Sequence, residues 1–436
     1  EYRRQRQMCI RDSCYSGCDS EARGHEVYPV LFTHPANADK DWAIKKLDPK
    51  ITYFTREWGD NVDDWNSHNS PSRVARNWGE QAMLIQAWHY AAPNYPYTCY
   101  DVLYRTPRQH VGGCLWHSFD HQRGYPPDPF YGGLMDVFRQ PKYSYYMFQA
   151  QRSPKKQDRL FETGPMVYIA HEMTPFSPKD VTVYSNCDEV RLTYNKGGKS
   201  LTYTKPVSRE GMPSPIITFK DVYNFMIDKN MSMKEGRQKE VFLLAEGLIN
   251  GKVVATHKVC PARRPSKLLL WIDNENTELK ADGSDFVTVI AAIADKNGNI
   301  KRLNNYYVKF HIEGEGRILG GANVLANPAP VKWGTAPILV QSTLKPGKIK
   351  ITASVLFEGS QMPVSAELEL ESKPSAYPLI YASEEAALIP MKSDSQSFPI
   401  TAKPQKELEK EKAVKDQNER KLKEVEQQQA DFGEKK

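Results

Sequence analysis

Apolar and polar positions alternate with mixed period over the first third of the chain and with period two over most of the rest. Ile51-Thr52-Tyr53-Phe54 is a β-favouring run that leads straight into Thr55-Arg56-Glu57-Trp58-Gly59-Asp60. Asn69-Ser70-Pro71 then supplies a Ser N-cap with Pro at the first helical position. Val74, Trp78, Ala82, Ile85 and Trp88 recur at helical spacing as far as Pro93, which predicts an amphipathic helix. Val111 to Leu115 predicts a short buried strand ending in Trp116-His117-Ser118-Phe119-Asp120. Tyr131-Gly132-Gly133-Leu134-Met135-Asp136 follows, and a second helix is expected from Pro141 to about Arg152, carrying Tyr145, Tyr146 and Phe148. Strand, polar strand end, helix, repeated, is the grammar of a (β/α)8 TIM barrel, in which reactive groups sit at the C-terminal ends of the strands.

Beyond Arg152 the period changes. Val181 to Tyr184, Val190 to Tyr194 and Glu240 to Glu246 read as strands, the last pairing across Asn250-Gly251 with Val253 to Thr256. A second set comprises Phe286 to Ala292, Val308 to Ile312 and Lys348 to Ala353. The fold class expected is therefore multidomain, α/β plus all-β. Residues 1–152 form the C-terminal part of a barrel, 153–166 a linker, 167–263 and 264–374 two immunoglobulin-like β-sandwiches, 375–404 a second linker and 405–436 a charged, partly helical tail. Leu408, Val414, Leu422, Val425 and Phe432 keep no steady heptad, so the tail reads as solvated rather than as a coiled coil.

The candidate chemistry gathers at the two strand ends. Glu57 stands behind its strand beside Arg56 and Trp58, an ionised carboxylate next to a cation and an aromatic face, as a retaining glycosidase nucleophile requires. By itself a Glu after a strand is more often a solvated loop residue. Other chemistries fit poorly. A net charge of +6 spread over 436 residues is no nucleic-acid footprint, and no basic run is interleaved with aromatics. No apolar stretch has the length of a membrane span or signal peptide. The seven cysteines are irregularly spaced: Cys14 and Cys18 mimic half a zinc site, but no second pair of ligands follows at the right spacing. Asp295 to Asn299 lacks the acidic residue that would complete a calcium loop and reads as a hairpin turn. Gly314 to Asn323 precedes no helix and so does not read as a phosphate loop. No metal and no cofactor is expected.

Taken together, Arg56-Glu57-Trp58-Gly59, Gly112-Gly113-Cys114-Leu115-Trp116-His117-Ser118-Phe119-Asp120, Tyr131 to Asp136 and Pro141-Lys142-Tyr143-Ser144-Tyr145-Tyr146 resemble the last barrel segments of glycoside hydrolase family 2. That family includes β-galactosidases, β-glucuronidases and β-mannosidases. The resemblance implies Glu57 as the nucleophile at the end of the seventh strand and Trp116 as the sugar-site tryptophan at the end of the eighth. It implies Trp58, His117, Asp120 and Arg56 as further substrate-binding residues, and Glu26 to Phe32 as a sixth strand. Tyr184 to Val190 resembles the immunoglobulin-like module that follows the barrel, and Gly314 to Asn323 a stretch of the C-terminal sandwich. The partner implied is a β-linked oligo- or polysaccharide, with β-galactosidase the favoured activity; an oligomer is compatible, and a periplasmic or secreted bacterial location rests on the resemblance alone.

The family's acid/base is the Glu of an Asn-Glu pair upstream of the nucleophile, and none precedes Glu57. Asn274-Glu275 and Asn418-Glu419 lie downstream, outside any barrel pattern. The expectation is a C-terminal piece of a larger enzyme, inactive alone, whose residues 1–13 include a stretch, Met8 to Ser13, resembling a translated sequencing adapter. Trp58 departs from the commoner Tyr or Phe, and the loop from Asp60 to His68 is not general to the family. The competing class is a non-catalytic carbohydrate-binding or structural sandwich module, which has no reason to carry strands with such ends.

Overall fold

A computed structural model describes residues 15–16, 30–33, 52–59, 70–92, 99–106, 110–122, 129–156, 163–209, 211–234, 240–273, 277–356 and 362–376, with the backbone alone for 15–16, 30–33, 52–53, 56–57 and 230–234. The opening residues 1–13, Cys14 and Cys18, the loop from Asp60 to His68, both Asn-Glu pairs and the tail lie outside the described residues.

Four parallel strands run in chain order: β1 (Tyr15–Ser16), β2 (Val30–Thr33), β3 (Thr52–Trp58) and β4 (His110–Leu115). Parallel neighbours require a crossover between them, and α1 (Glu80–Ala91) and α2 (Tyr100–Tyr104) supply one between β3 and β4. Helix α3 (Tyr143–Gln149) follows β4 and packs beside α1.

The first helix differs from its sequence reading. Gly79, at φ +93, separates a 3-10 turn at Arg76–Trp78 from α1, so the helix starts nine residues late, and Ser70 bonds the Ser72 hydroxyl instead of capping it. Its buried face also differs: Trp78 and Ile85 are 46% and 51% exposed, whereas Met83, Ala87 and Tyr90 are buried. Met83, Leu84, Ile85, Ala87, Trp88 and Tyr90 leave apolar groups on nearly every side of this helix. Local periodicity then selects no face, and the partners do. Strand β4 is likewise less covered than expected, with Val111 and Cys114 exposed.

Two sandwiches follow. The first packs the sheet β5 (Val167–Ala170), β6 (Val181–Ser185) and β9 (Ile217–Phe219) against β7 (Glu189–Lys196), β8 (Ser200–Pro206), β10 (Val241–Ile249) and β11 (Lys252–Val259). Between β9 and β10 stands the helix α4 (Phe225–Lys234), which the sequence reading lacked. The turn at Asn250-Gly251, φ +51 and +72, joins β10 to β11 with Ile249 opposite Lys252, the two-residue hairpin the sequence predicts.

The second sandwich pairs β12 (Lys267–Asp273), β14 (Phe286–Ala294), β16 (Gly316–Ile318) and β18 (Thr335–Ser342) against β13 (Lys280–Ala281), β15 (Tyr307–Gly314), β17 (Ala329–Pro330), β19 (Gly347–Leu356) and β20 (Ala366–Pro374). Asp295 accepts the backbone N–H groups of Arg263, Asn297 and Asn299, which makes its loop a hydrogen-bonded turn.

Strands facing the helices are buried on both sides. In β5 Val167 and Ile169 enter the sandwich core, while Tyr168 and Ala170 join the helix cluster of Met83, Tyr90 and Met147. In β14 Val289, Ala291 and Ile293 point into their own core, yet Ile290 and Ala292 on the other face are buried too.

The three bodies are tied together by polar contacts. Arg302 of the second sandwich bonds Glu172 of the first at 3.0 Å, and Glu80, the first residue of α1, accepts Glu172 N–H at 2.9 Å and the Ser177 hydroxyl at 2.5 Å. Burial, assisted by the nearby Glu172 charge, pushes the Glu80 carboxyl from 4.5 up to about 7. A carboxyl whose folded pKa is raised favours the fold most when protonated, so this contribution is fully present below pH 4.5 and is lost as pH rises toward 7. The span corresponds to about 3 kcal/mol at 1.36 kcal/mol per pKa unit. Glu80→Gln should remove that slope. Urea unfolding between pH 4.5 and 8 should show the variant gaining on the parent chain as pH rises, and parallel curves would show that Glu80 titrates normally.

Candidate functional site

Strands β3 and β4 run side by side with Tyr53 opposite His110, Thr55 opposite Gly113 and Trp58 opposite Leu115, and Trp116 N–H continues the ladder to Trp58 O at 2.8 Å. Both strands thus reach the same level at their C-terminal ends. Arg56 and Glu57 occupy backbone positions in the last turn of pleat of β3; their side chains lie outside the described residues. One contact joins the two strands from below, and a second holds the imidazole that makes it. Thr55 Oγ1 lies 2.8 Å from His110 Nε2, and Thr106 Oγ1 lies 3.0 Å from His110 Nδ1. Burial lowers the His110 pKa, so this imidazole serves as a neutral hydrogen-bonding bridge.

Trp116 is half-buried just past the end of β4, joined to His117 by a cis peptide bond. Its ring meets His117 and His121 edge-on, at 5.4 and 6.0 Å. The two imidazoles stand with their Nδ1 atoms 3.1 Å apart, and each Nδ1 is near Phe119 O, at 2.8 Å for His117 and 3.3 Å for His121. Phe130 backs both histidines, and the Arg73 guanidinium lies 3.8 Å over the Phe130 ring. His121 and Arg73 were absent from the sequence reading. The spacing His117-x-x-x-His121 was a usable signal, whereas nothing local links Arg73 to this cluster.

Two of the expected substrate-binding residues lie elsewhere. Trp58 is buried between strand and helices, its ring tilted against Phe148 at 5.8 Å and edge-on to Tyr90 at 6.5 Å. It is a core tryptophan. Asp120 pairs with Lys142 at 2.7 Å, the two side chains being 3% and 0% exposed, and also accepts Gly133 N–H at 3.0 Å. Lys142 gives a further hydrogen bond to Tyr131 O at 2.8 Å. Burial raises the Asp120 carboxyl from 3.8 to about 6 despite the ammonium beside it. Both contacts fall on Oδ1, and the buried pair holds the loop below Trp116.

The pair also accounts for the glycines of the Tyr-Gly-Gly-Leu-Met-Asp motif. A Cβ at Gly133 would fall 2.3 Å from Asp120 N, and one at Gly132 would fall 2.6 Å from His117 Nε2. The Tyr131–Leu134 segment can therefore approach the His117–Asp120 loop only without side chains. Tyr90 and Gln86 of α1 complete the support by donating to the carbonyls of Ser72, Gly132 and Tyr131. Among the described residues, no group of three His, Cys, Asp or Glu side chains is arranged to hold a metal.

Comparison with known proteins bears on the same reading. Residues 270–356, within the second sandwich, match the family model for glycoside hydrolase family 2 C-terminal domain 5. A β-galactosidase of Thermoanaerobacter pseudethanolicus is 32% identical over 273 residues, covering 61% of this chain and 34% of the relative. A β-galactosidase of Bacteroides ovatus is 29% identical over 259 residues, 56% of this chain and 27% of its own length. A putative β-glucuronidase of Formosa agariphila is 31% identical over 289 residues, 63% of this chain and 23% of its own length. The chain thus spans between about a quarter and a third of these relatives. The solved structure of a β-glucuronidase from glycoside hydrolase family 2 shares the fold with a TM-score of 0.53 at 19% identity, over 83% of this chain and 35% of that one.

The Asp120–Lys142 pair can be tested directly. Lys142→Met strands a buried carboxylate and should cost about 3–5 kcal/mol. Adding Asp120→Asn removes the stranded charge and should return a large part of that loss. Denaturant unfolding of the single and double variants measures both steps; additive losses would show that the two groups do not act as a pair.

Proposed function

The chain belongs to glycoside hydrolase family 2, and on that premise we propose that it carries the nucleophile of a retaining exo-β-glycosidase that acts on β-galactosides. The observation that carries the reading is the alignment of two strand ends: Glu57 stands one residue before, and Trp116 one residue after, the paired positions Trp58 and Leu115 on neighbouring parallel strands. Adjacent strands lie about 4.8 Å apart, so a carboxylate and an indole at these positions reach one sugar ring. In this reading the four parallel strands are part of a (β/α)8 barrel, and the two sandwiches are immunoglobulin-like modules buttressing it. β-Galactosidase is favoured because that name recurs among the relatives; a β-glucuronidase is the second reading, on the strength of the Formosa relative.

The chemistry assigned to Glu57 is double displacement. Its carboxylate attacks the anomeric carbon while a second carboxyl group of the enzyme protonates the departing glycosidic oxygen, so one C–O bond breaks as the glycosyl ester forms. Water, deprotonated by the same second group, then attacks that carbon and releases the sugar with its anomeric configuration retained. Arg56 is assigned the role of keeping the Glu57 carboxylate ionised between turnovers. Trp116 offers an aromatic face to the apolar C–H side of the ring, with His117 and His121 setting its position.

Two experiments on the whole enzyme test the assignment. Glu57→Gln should lower kcat by about 10⁴- to 10⁶-fold, and mass spectrometry after trapping with a 2-deoxy-2-fluoro-β-galactoside should find the label on the peptide containing Glu57. A label elsewhere, or product of inverted configuration, overturns the mechanism. Trp116→Ala should weaken kcat/KM by on the order of 2 kcal/mol, the usual cost of truncating an aromatic anchor, with the melting temperature little changed. Normal kinetics in a variant that melts early would make Trp116 a core residue instead.

A further inference from the structure

Where the helices and both sandwiches meet, they line a half-open cavity of about 620 Å³ that shares no residue with the Trp116 cluster. Its volume falls within the about 300–1,000 Å³ of small-molecule sites, and junctions between domains are where such sites concentrate. The sequence supplies its aromatic walls from separate bodies. Tyr145 and Tyr146 come from α3, Trp271 from β12 and Trp333 from the turn before β18. Trp271 projects from its strand on the face opposite Leu270 and Ile272, which join the sandwich core, and its cross-strand neighbour Ile290 lines the same cavity. Trp333 adopts the left-handed backbone conformation, φ +51, in a tight turn with Gly334 at φ +81, and its ring edge sits against Gly79, where a Cβ would come within 3.2 Å. The fold thus holds an indole at this junction in a conformation that bulky residues rarely adopt.

The polar lining is charge-balanced. Arg76 pairs with Asp136 at 2.9 Å, Arg302 with Glu172 at 3.0 Å and Arg139 with Asp273 at 3.1 Å. The guanidiniums also donate to Lys332 O and Thr335, to Trp333 O and to Asp273 O, so an anionic ligand would have to displace partners already in place. The Asp273 Oδ2 atom is buried against Arg139 Nε, and Arg139 also donates through Nη2 to Asp273 O at 2.8 Å. Aromatic side chains for a C–H surface, with the charges of the lining already paired, describe the recognition chemistry of a neutral pyranose.

We propose that this junction cavity is a second carbohydrate-binding site, taking the end of a neutral glycan, separate from the strand-end site. The ligand class follows from the cavity lining and does not depend on the role assigned to Glu57. Isothermal titration of the 436-residue chain with methyl β-galactopyranoside, β-1,4-galactotetraose and methyl β-glucuronide tests it. The two neutral probes should bind and the glucuronide should bind at least about tenfold more weakly. Preference for the single ring over the tetraose would identify free sugar as the natural ligand, and preference for the tetraose a glycan chain end; either is a sugar site. Trp271→Ala, and Trp271→Leu as a variant that retains apolar packing, should each weaken binding about tenfold or more, whereas Phe176→Ala, at an exposed position outside the cavity, should leave it unchanged. No measurable binding of the neutral probes, glucuronide binding as tight as theirs, or binding retained in both Trp271 variants would each overturn the proposal.

Discussion

Glu172 sits where three bodies of the protein converge, and its contacts decide how they are set against one another. Its carboxylate accepts from Arg302 of the second sandwich, its backbone N–H is held by Glu80 at the start of α1, and the Tyr143 hydroxyl of α3 lies 3.4 Å from it. Burial works against the Arg302 charge, but the Glu172 carboxylate outweighs it and raises the Arg302 pKa. An isolated ion of either sign would be costly at such a place, so the partners are obliged to meet. That obligation orients both sandwiches on the helix layer. Arg76 reinforces it from the helix side by bonding Asp136, Lys332 O and Thr335.

The orientation has consequences in both directions. Toward the sandwiches, it buries the outer faces of β5 and β14, whose second sets of apolar side chains would otherwise face water. Toward the strand ends, it fixes α1 and α3; Tyr90 and Gln86 hold the Tyr131–Gly132 segment, and Lys142 holds Asp120 in the loop that follows Trp116. A side chain on a loop is positioned only as well as the elements below it, and here the support runs from a second-sandwich arginine to the rim of the candidate active site. The accessory sandwiches are thus part of the scaffold of that site.

The Asp120–Lys142 pair shows why motif positions resist interpretation from chemistry alone. An aspartate behind a strand, close to a tryptophan and a histidine, has the composition of a sugar-site residue. Its function in the fold is set by the lysine 22 positions later that folding brings to 2.7 Å. Buried together, the two serve first to hold their loop. The same holds for Trp58, whose place next to Glu57 suggested a sugar platform and whose ring instead fills the layer beneath α1 and α3.

Local chemistry in the sequence was enough to identify several features. The parallel strand ends at Glu57 and Trp116, the period-two sandwiches, the Asn250-Gly251 hairpin and the Asp295 turn all depend on neighbours within a few residues, where backbone preference and side-chain alternation act. The face that α1 buries was undetermined, because a helix apolar on most sides receives its orientation from its partners. The roles of Asp120 and Trp58, the clasp around Glu172 and the junction cavity arise from contacts between residues far apart in the chain. Their energies come from desolvation and charge pairing, which exist only once the chain has folded and so leave no local pattern in the sequence.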